Sequence, residues 1–419
     1  MQNAVGVFLC GSENKTDMTK NNIIVCFLLA VMAVPLFAQD AQRNAKNQFN
    51  PVYTGVTSLS IAPDARAGAL GDVGVATEPD ANSQYWNPAK YPFNIARAGV
   101  SMSYTPWLRQ LVSDIDLVNL AGFYRIGDYS ALSASLTYFS LGQVFVENEM
   151  TIKPYEMAFD VAYSRMLSET FSAAIGLRYI FSDLQYDYTE DMSPGHAFAA
   201  DIALYYNKYA VMGNRECLLG LGMNISNIGT KISYDGGATN EFIPTNLRLG
   251  ASLLLPFDEY NTLSISLDVN KLLVPTKPSY AQFLEENPAP GVDDNSRYSE
   301  YQAWLDGTGY NDISPITGIF KSFADAPGGF KEELREIYGG IGIEYCYNQQ
   351  FSLRGGYHYE DAYKGNRKYF TLGAGFRMSV FSLDAAYLIS TAQSNPLDQT
   401  LRFSLSFDMD GLKDLFRRY

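Results

Sequence analysis

The sequence predicts an all-β protein, a 14-stranded antiparallel β-barrel that crosses a membrane. Three observations point there. The composition is rich in aromatics and poor in charge: 30 Tyr and 25 Phe among 419 residues, with only 18% charged. With a mean hydropathy of −0.11 and no apolar run of spanning length after residue 40, a bundle of membrane helices is excluded. From residue 98 onward, segments of roughly ten residues alternate apolar with small or polar side chains, as strands do when one face meets lipid and the other a polar lumen. The connections also sort by length, short and long in turn, which a barrel's two rims require and a sandwich does not.

The chain opens with a targeting signal. Lys20 precedes the apolar run Ile23–Ala38, and polar QDAQRNAKNQ follows. That order is a secretory signal peptide's. Cleavage is expected after Ala38, although Leu36 stands where a small residue is usual, and residues 1–17 form an upstream extension before Met18. Cys10 and Cys26 leave with the signal, so Cys217 and Cys346 remain, with no metal-binding spacing around either.

Strands are expected near 98–105, 115–125, 129–139, 154–164, 170–181, 197–207 and 217–227, then 245–255, 261–270, 337–347, 350–359, 367–377, 380–390 and 399–408. The last two show the pattern best: Phe381, Leu383, Ala385, Tyr387 and Ile389 share one face, as do Leu401, Phe403, Leu405 and Phe407. The segment at 115–125 alternates least. Short links such as IGDYS, MLSE, PFDEYN, NQQ and MSV belong to a periplasmic rim. The longer ones, 106–114, 140–153, 182–196, 228–244 and 271–336, belong to an extracellular rim.

Period 2 turns Asp160, Arg178, Asp201, Arg248, Asp268, Glu344, Arg354, Arg377, Asp384 and Arg402 into the lumen. Both signs occur, so a paired polar interior is expected, because an unpaired charge there is costly. Cys217 falls outward and Cys346 inward, which argues against a disulfide between them. The 271–336 insertion is too long for a plain loop. Its short amphipathic stretches carry Trp304, Tyr310, Phe320 and Phe323, which are either an exposed binding surface or the core of a small cap.

Chemistry is sparse. A net charge of −14 gives no general attraction to nucleic acid. Gly68, Gly71 and Gly74 space as GxxGxxG, which is neither a dinucleotide fingerprint nor a P-loop. The two histidines are His196 and His358; the latter, beside Glu360 and Asp361, reads as loop polarity rather than a triad. DMDG at 408–411 begins like a calcium loop and lacks the later ligands. No enzyme activity and no cofactor or metal is expected.

Residues 59–91, LSIAPDARAGALGDVGVATEPDANSQYWNPAKY, taken with the barrel pattern, resemble the opening of the PorV (LptO) family. These are outer-membrane components of the type IX secretion system in Bacteroidota, distantly similar to FadL-type barrels. The elements Asp64-Ala65-Arg66-Ala67-Gly68 and Asn87-Pro88-Ala89 carry the resemblance, which runs from about residue 50 to the C-terminus; the related PorQ proteins open in a similar way. The likeness to FadL-type barrels implies an N-terminal hatch or plug inside the lumen. Small Gly and Ala side chains suit it, since irregular backbone at membrane depth must be satisfied by protein. Arg66, Asp72 and Arg97 are then expected to pair with lumen charges.

The expected organisation is a signal region at 1–38, a periplasmic or plug segment at 39–97, the barrel at 98–408 and a periplasmic tail at 409–419. The resemblance implies an outer-membrane protein of a Gram-negative cell, surrounded by lipid and lipopolysaccharide. It implies a shuttle that binds the C-terminal signal domain of secreted cargo and moves it from the translocon barrel to a surface sortase and attachment complex. Loop position makes Trp107, Leu108, Trp304 and Tyr310 the expected contacts. The alternative from the same resemblance is a FadL-like channel for hydrophobic small molecules. An acyl-removing role on lipid A, which the LptO name suggests, lacks a catalytic constellation here.

Overall fold

A computed structural model describes residues 49–109, 112, 114–146, 150–184, 193–212, 215–237, 240–289, 291–378, 380–391 and 397–409. The signal-peptide expectation and most of the expected C-terminal tail lie outside these. Fourteen antiparallel strands close into a barrel. They are β1 Ala98–Pro106, β2 Asp116–Ile126, β3 Ser130–Ser140, β6 Tyr155–Ser168, β7 Phe171–Asp183, β8 Gly195–Met212 and β9 Arg215–Gly229, followed by β10 Asn246–Pro256, β11 Asn261–Leu272, β12 Ile337–Tyr347, β13 Phe351–Tyr359, β14 Lys368–Arg377, β15 Phe381–Ser390 and β16 Leu401–Asp408. A small hairpin, β4 Val144–Val146 with β5 Met150–Ile152, stands apart in the third strand's outgoing loop. Closure comes from β1 on β16, in register from Gly99 opposite Asp408 to Tyr104 opposite Phe403. It leaves no sheet edge, the condition for strands in lipid.

The alternation decides which face is which. Leu401, Phe403, Leu405 and Phe407 are exposed on the outer side of β16, while Arg402 and Ser404 between them are buried inside. Even β2, the weakest alternation, buries Leu117, Asn119, Ala121 and Phe123 and exposes Leu120 and Tyr124. All fourteen expected strands are present. β8 and β9 extend further than expected, because pairing continues from Asn207 opposite Gly220 to Met212 opposite Arg215; Asn207 and Lys208 break the apolar pattern without breaking the backbone ladder.

The long insertion is helical. Its helices are Tyr280–Glu286, Tyr298–Gly307, Pro315–Lys321 and Phe330–Arg335. Two of them start on side-chain caps: the Ser279 hydroxyl accepts from the Gln282 N–H at 3.1 Å, and that of Ser314 from Thr317 at 3.3 Å. Phe283, Tyr301, Leu305 and Tyr310 form the cap's core with Phe242 and Val274, and Trp304 and Val52 pack on its edge. Among the described residues no helix is long and apolar enough to cross a membrane.

The segment ahead of β1 threads the bore from the long-loop rim downward. Asn50 N–H donates to Tyr363 O at 2.8 Å and Gly55 N–H to Phe242 O at 2.9 Å, both acceptors lying in long-rim loops. At the other end Pro88–Phe93 forms a 3-10 turn near the short-turn rim, where Tyr91 stacks on Phe123 at 4.8 Å. Of the two placements expected for 39–97, periplasmic or plug, the described part is a plug, with residues 49–60 at the long-loop rim. With its start held at the long-loop rim and β1 beginning at the short-turn rim, the segment spans the lumen.

Candidate functional site: a sealed lumen under an outer cap

The plug is fixed by backbone contacts that only glycine allows. Gly340, Gly342 and Gly356 on the inner wall lie against the backbone of Leu70 and Gly71; a Cβ on any of them would overlap that backbone. Gly222 and Gly250 do the same against Val75 and Ala76. Gly71 itself has φ +76°, the left-handed region that favours glycine. Wall side chains then satisfy the plug's irregular backbone. Asp268 accepts from Gly74 N–H at 2.7 Å and from Val75 N–H at 2.9 Å. Thr371 takes the Gly71 N–H and gives its own proton to Ala69 O, both at 2.9 Å. Ser404 accepts from Ala65 N–H at 2.8 Å, and Ser252 donates to Ala76 O at 2.6 Å.

The two family-like elements are the ends of this arrangement. Asp64 caps the short helix Ala65–Gly68 through Ala67 N–H and accepts from the Trp86 indole at 2.6 Å. Asn87 is fully buried; its amide donates to Val75 O and to Leu204 O on the wall, and its oxygen caps Ala89. One asparagine thus ties the plug's two halves and the barrel together. Lys90, also buried, donates to Gly74 O at 2.7 Å and Thr77 Oγ1 at 3.1 Å.

Ionic ladders complete the seal. Arg66 forks onto Glu344, with Nη2 donating at 3.0 Å and Nε at 3.3 Å, and reaches Asp80 at 3.1 Å. Glu344 also accepts from Arg354, which holds Asp384 at 2.6 Å. The signs alternate along the whole run, Asp80–Arg66–Glu344–Arg354–Asp384. Asp72 accepts from the Tyr369 hydroxyl and from Arg402. A second cluster joins Arg178 to Asp160, Asp201 and Asn227. Asp201 sits at a register shift between β8 and β9, a bulge of the kind that re-aims a side chain. Beside this cluster a cavity of about 10 Å³ lies between Leu59, Tyr85 and Arg178, room for about one water.

Other expected site residues lie elsewhere. Arg248 donates to Tyr85 O at 2.8 Å and stacks over that ring at 4.4 Å, so it holds an aromatic and a carbonyl rather than an acid. Arg97 is exposed over Tyr124 at 5.6 Å, outside the lumen, because the chain has left the bore before β1. Arg377 is exposed at the end of β14, where the lumen opens. His358 lies in β13, within its expected strand, but is not solvated. It is buried, its Nδ1 lies 3.2 Å from Gly71 O and its ring stacks on Tyr369 at 4.8 Å, while Glu360 turns away to Arg367. Cys217 and Cys346 are free thiols. Among the described residues no group of three His, Cys, Asp or Glu could hold a metal.

At the outer rim, Trp107 and Leu108 are half-buried against Tyr369, Leu388 and Leu397. Trp304 is half-buried in the cap, and Tyr310 is only 7% exposed and meets Phe242 edge-on at 5.8 Å. Burial, with Glu241 and Asp325 near, pushes the Tyr310 hydroxyl well above its ordinary value. These four residues build the rim; Phe320 at 74% and Phe323 at 50% are among the cap's exposed aromatics. Sequence missed the cap's polar lock, where Lys271 meets Glu333 and Glu336, and Lys364 meets Glu332 and Glu336. Burial raises the Glu332 carboxyl, but the Lys364 ammonium outweighs it and holds the group below its usual range. No pattern in the 271–336 insertion flags which of its charges will meet.

Among solved structures, the chain is similar to the toluene transporter TbuX of Ralstonia pickettii, at 11% identity over 84% of this chain and 99% of that one, with a TM-score of 0.43. It is similar to the toluene transporter TodX of Pseudomonas putida (12% identity, 86% and 99% covered, TM-score 0.44). A FadL homologue of Pseudomonas aeruginosa gives 12% identity, 86% and 99% coverage and a TM-score of 0.41. No curated protein matches the sequence. Residues 43–279 match the family model described as type IX secretion system protein PorV. That match takes in the plug and the first nine barrel strands, more than half of the chain, and the protein belongs to the PorV family of the type IX secretion system, as an outer-membrane barrel.

Proposed function

We propose that this PorV-family barrel performs no chemistry and conducts nothing: it is a docking shuttle that binds the folded C-terminal signal domain of secreted cargo at its outer cap. From the translocon it hands that cargo to the surface sortase and attachment complex. The observation that carries this reading is the pairing of a lumen filled by its own backbone with a folded cap that leaves Phe320 and Phe323 in the open. A filled bore supports recognition at the rim over passage through the wall. Exposed aromatics are the residue type that dominates interface energetics, while the packed Trp304 and Tyr310 would act only by holding the cap's shape.

The test is a double substitution, Phe320→Ser with Phe323→Ser. Neither side chain supports the cap core, so the barrel should stay heat-modifiable. Capture of a purified cargo signal domain should fall by roughly tenfold or more, the loss expected of a contact hot spot. Unchanged capture by a folded variant would show that cargo docks elsewhere. Trp304→Ala offers the contrast, since it should loosen the cap as well as weaken capture.

A further inference from the structure

The last cap helix, Phe330–Arg335, has its polarity inverted for a helix above a water-facing rim. Glu333 and Glu336, which follows the helix, are 7% and 5% exposed, whereas Phe330 and Leu334 are 57% and 51% exposed. The cause lies in the wall beneath. Lys271, one residue before the end of β11, pairs with Ile337 at the start of β12, and period 2 puts both on the same side as Leu267 and Val269, the lipid-facing side. An ammonium there is costly unless it is covered and paired. The helix covers it, placing Glu333 at 3.0 Å and Glu336 at 2.6 Å from its Nζ. The helix thus covers the end of the wall at β11 and β12, and Phe330 and Leu334 are on the side it leaves exposed. Phe330 and Leu334, one turn apart, then run directly into the exposed Ile337, Ile341 and Ile343 of β12.

We propose that Phe330–Arg335 is an interfacial foot, with Phe330 and Leu334 immersed in the acyl chains of the outer leaflet. Continuity with the lipid-facing band of β12 selects lipid as the occupant. The exposed Lys331 on the same helix suits the phosphates at that depth. The foot fixes the height of the whole cap above the membrane, since Glu332 and Glu336 also bind Lys364 in the loop after β13 and Asn50 of the plug donates to Glu332 at 3.2 Å. This inference stands apart from the cargo reading, which concerns Phe320 and Phe323.

The test places tryptophan at Leu334→Trp and, separately, Phe330→Trp in the full barrel, reconstituted in nanodiscs whose phospholipids carry brominated acyl chains. Both sites are on the exposed side, so folding should be unaffected. Emission above the wild-type background should shift to shorter wavelength and be quenched as fully as that of Ile341→Trp, a wall position in lipid. Emission at both sites that stays red and no more quenched than background would overturn the proposal. So would protection that appears only with a co-purified protein, which would make the patch a protein contact.

Discussion

Gly356→Val should unseat the plug and turn a closed barrel into a conducting one. A Cβ at residue 356 would lie far inside contact distance of both the Leu70 carbonyl carbon and the Gly71 amide nitrogen. Ordinary overpacking costs about 1–3 kcal/mol because side chains can give way. Here the obstructing atoms are backbone, and they are held by Thr371 on both sides of the contact. The plug must therefore move off the wall, which also breaks the Asp72 contacts with Tyr369 and Arg402. Steady ion conductance in planar bilayers is expected from Gly356→Val and from Gly342→Val, against little from wild type. Gly355→Val, at the outward-facing neighbour whose added Cβ would meet nothing nearer than 3.9 Å, serves as the tolerated site. A Gly356→Val barrel that melts normally and stays silent would contradict the packing described.

Glu344→Ala should be strongly destabilising. It takes the shared acid from two buried guanidinium groups at once, leaving Arg66 with Asp80 alone and Arg354 with Asp384 alone. Removing one partner of a buried ion pair costs about 3–5 kcal/mol, mostly as the penalty on the charge left behind. Arg66→Ala should cost less than Glu344→Ala, because Glu344 keeps Arg354. Within a shared network the double variant should cost less than the two singles together, by about 0.5–3 kcal/mol. Thermal unfolding in detergent measures all three, and strict additivity would mean that Arg66 and Glu344 act independently.

What sequence could and could not show follows from the kind of interaction involved. The wall was legible because lipid enforces period 2 on every strand, and a run such as Phe381, Leu383, Ala385, Tyr387, Ile389 has no other use. Even the sides of the lumen charges were legible, because face follows from parity. Their partners were not: Arg248 meets an aromatic ring and Arg178 depends on a bulge at Asp201, both set by atoms far away in sequence. The wall glycines carried a signal that went unread. Glycine is dense in β12 and β13, and Gly340, Gly342 and Gly356 fall on the inner face, where a plug pressing on the wall needs them. In the cap, Trp304 and Tyr310 read as contacts because aromatics are prized at interfaces, but a small domain with few apolar residues spends them on its own core. Which aromatics remain outside, Phe320 and Phe323 among them, depends on how the helices turn.

The most direct test of the plugged barrel is a cross-link between Ala69 on the plug and Ala386 on β15, which pack against each other. Cysteines at both positions, in a chain with Cys217→Ala and Cys346→Ser, should join spontaneously when the protein is folded in outer membranes. Peptide mapping would find the disulfide within one chain. Two thiols that stay separate and react freely with a water-borne maleimide would mean that the leading segment does not lie in the bore.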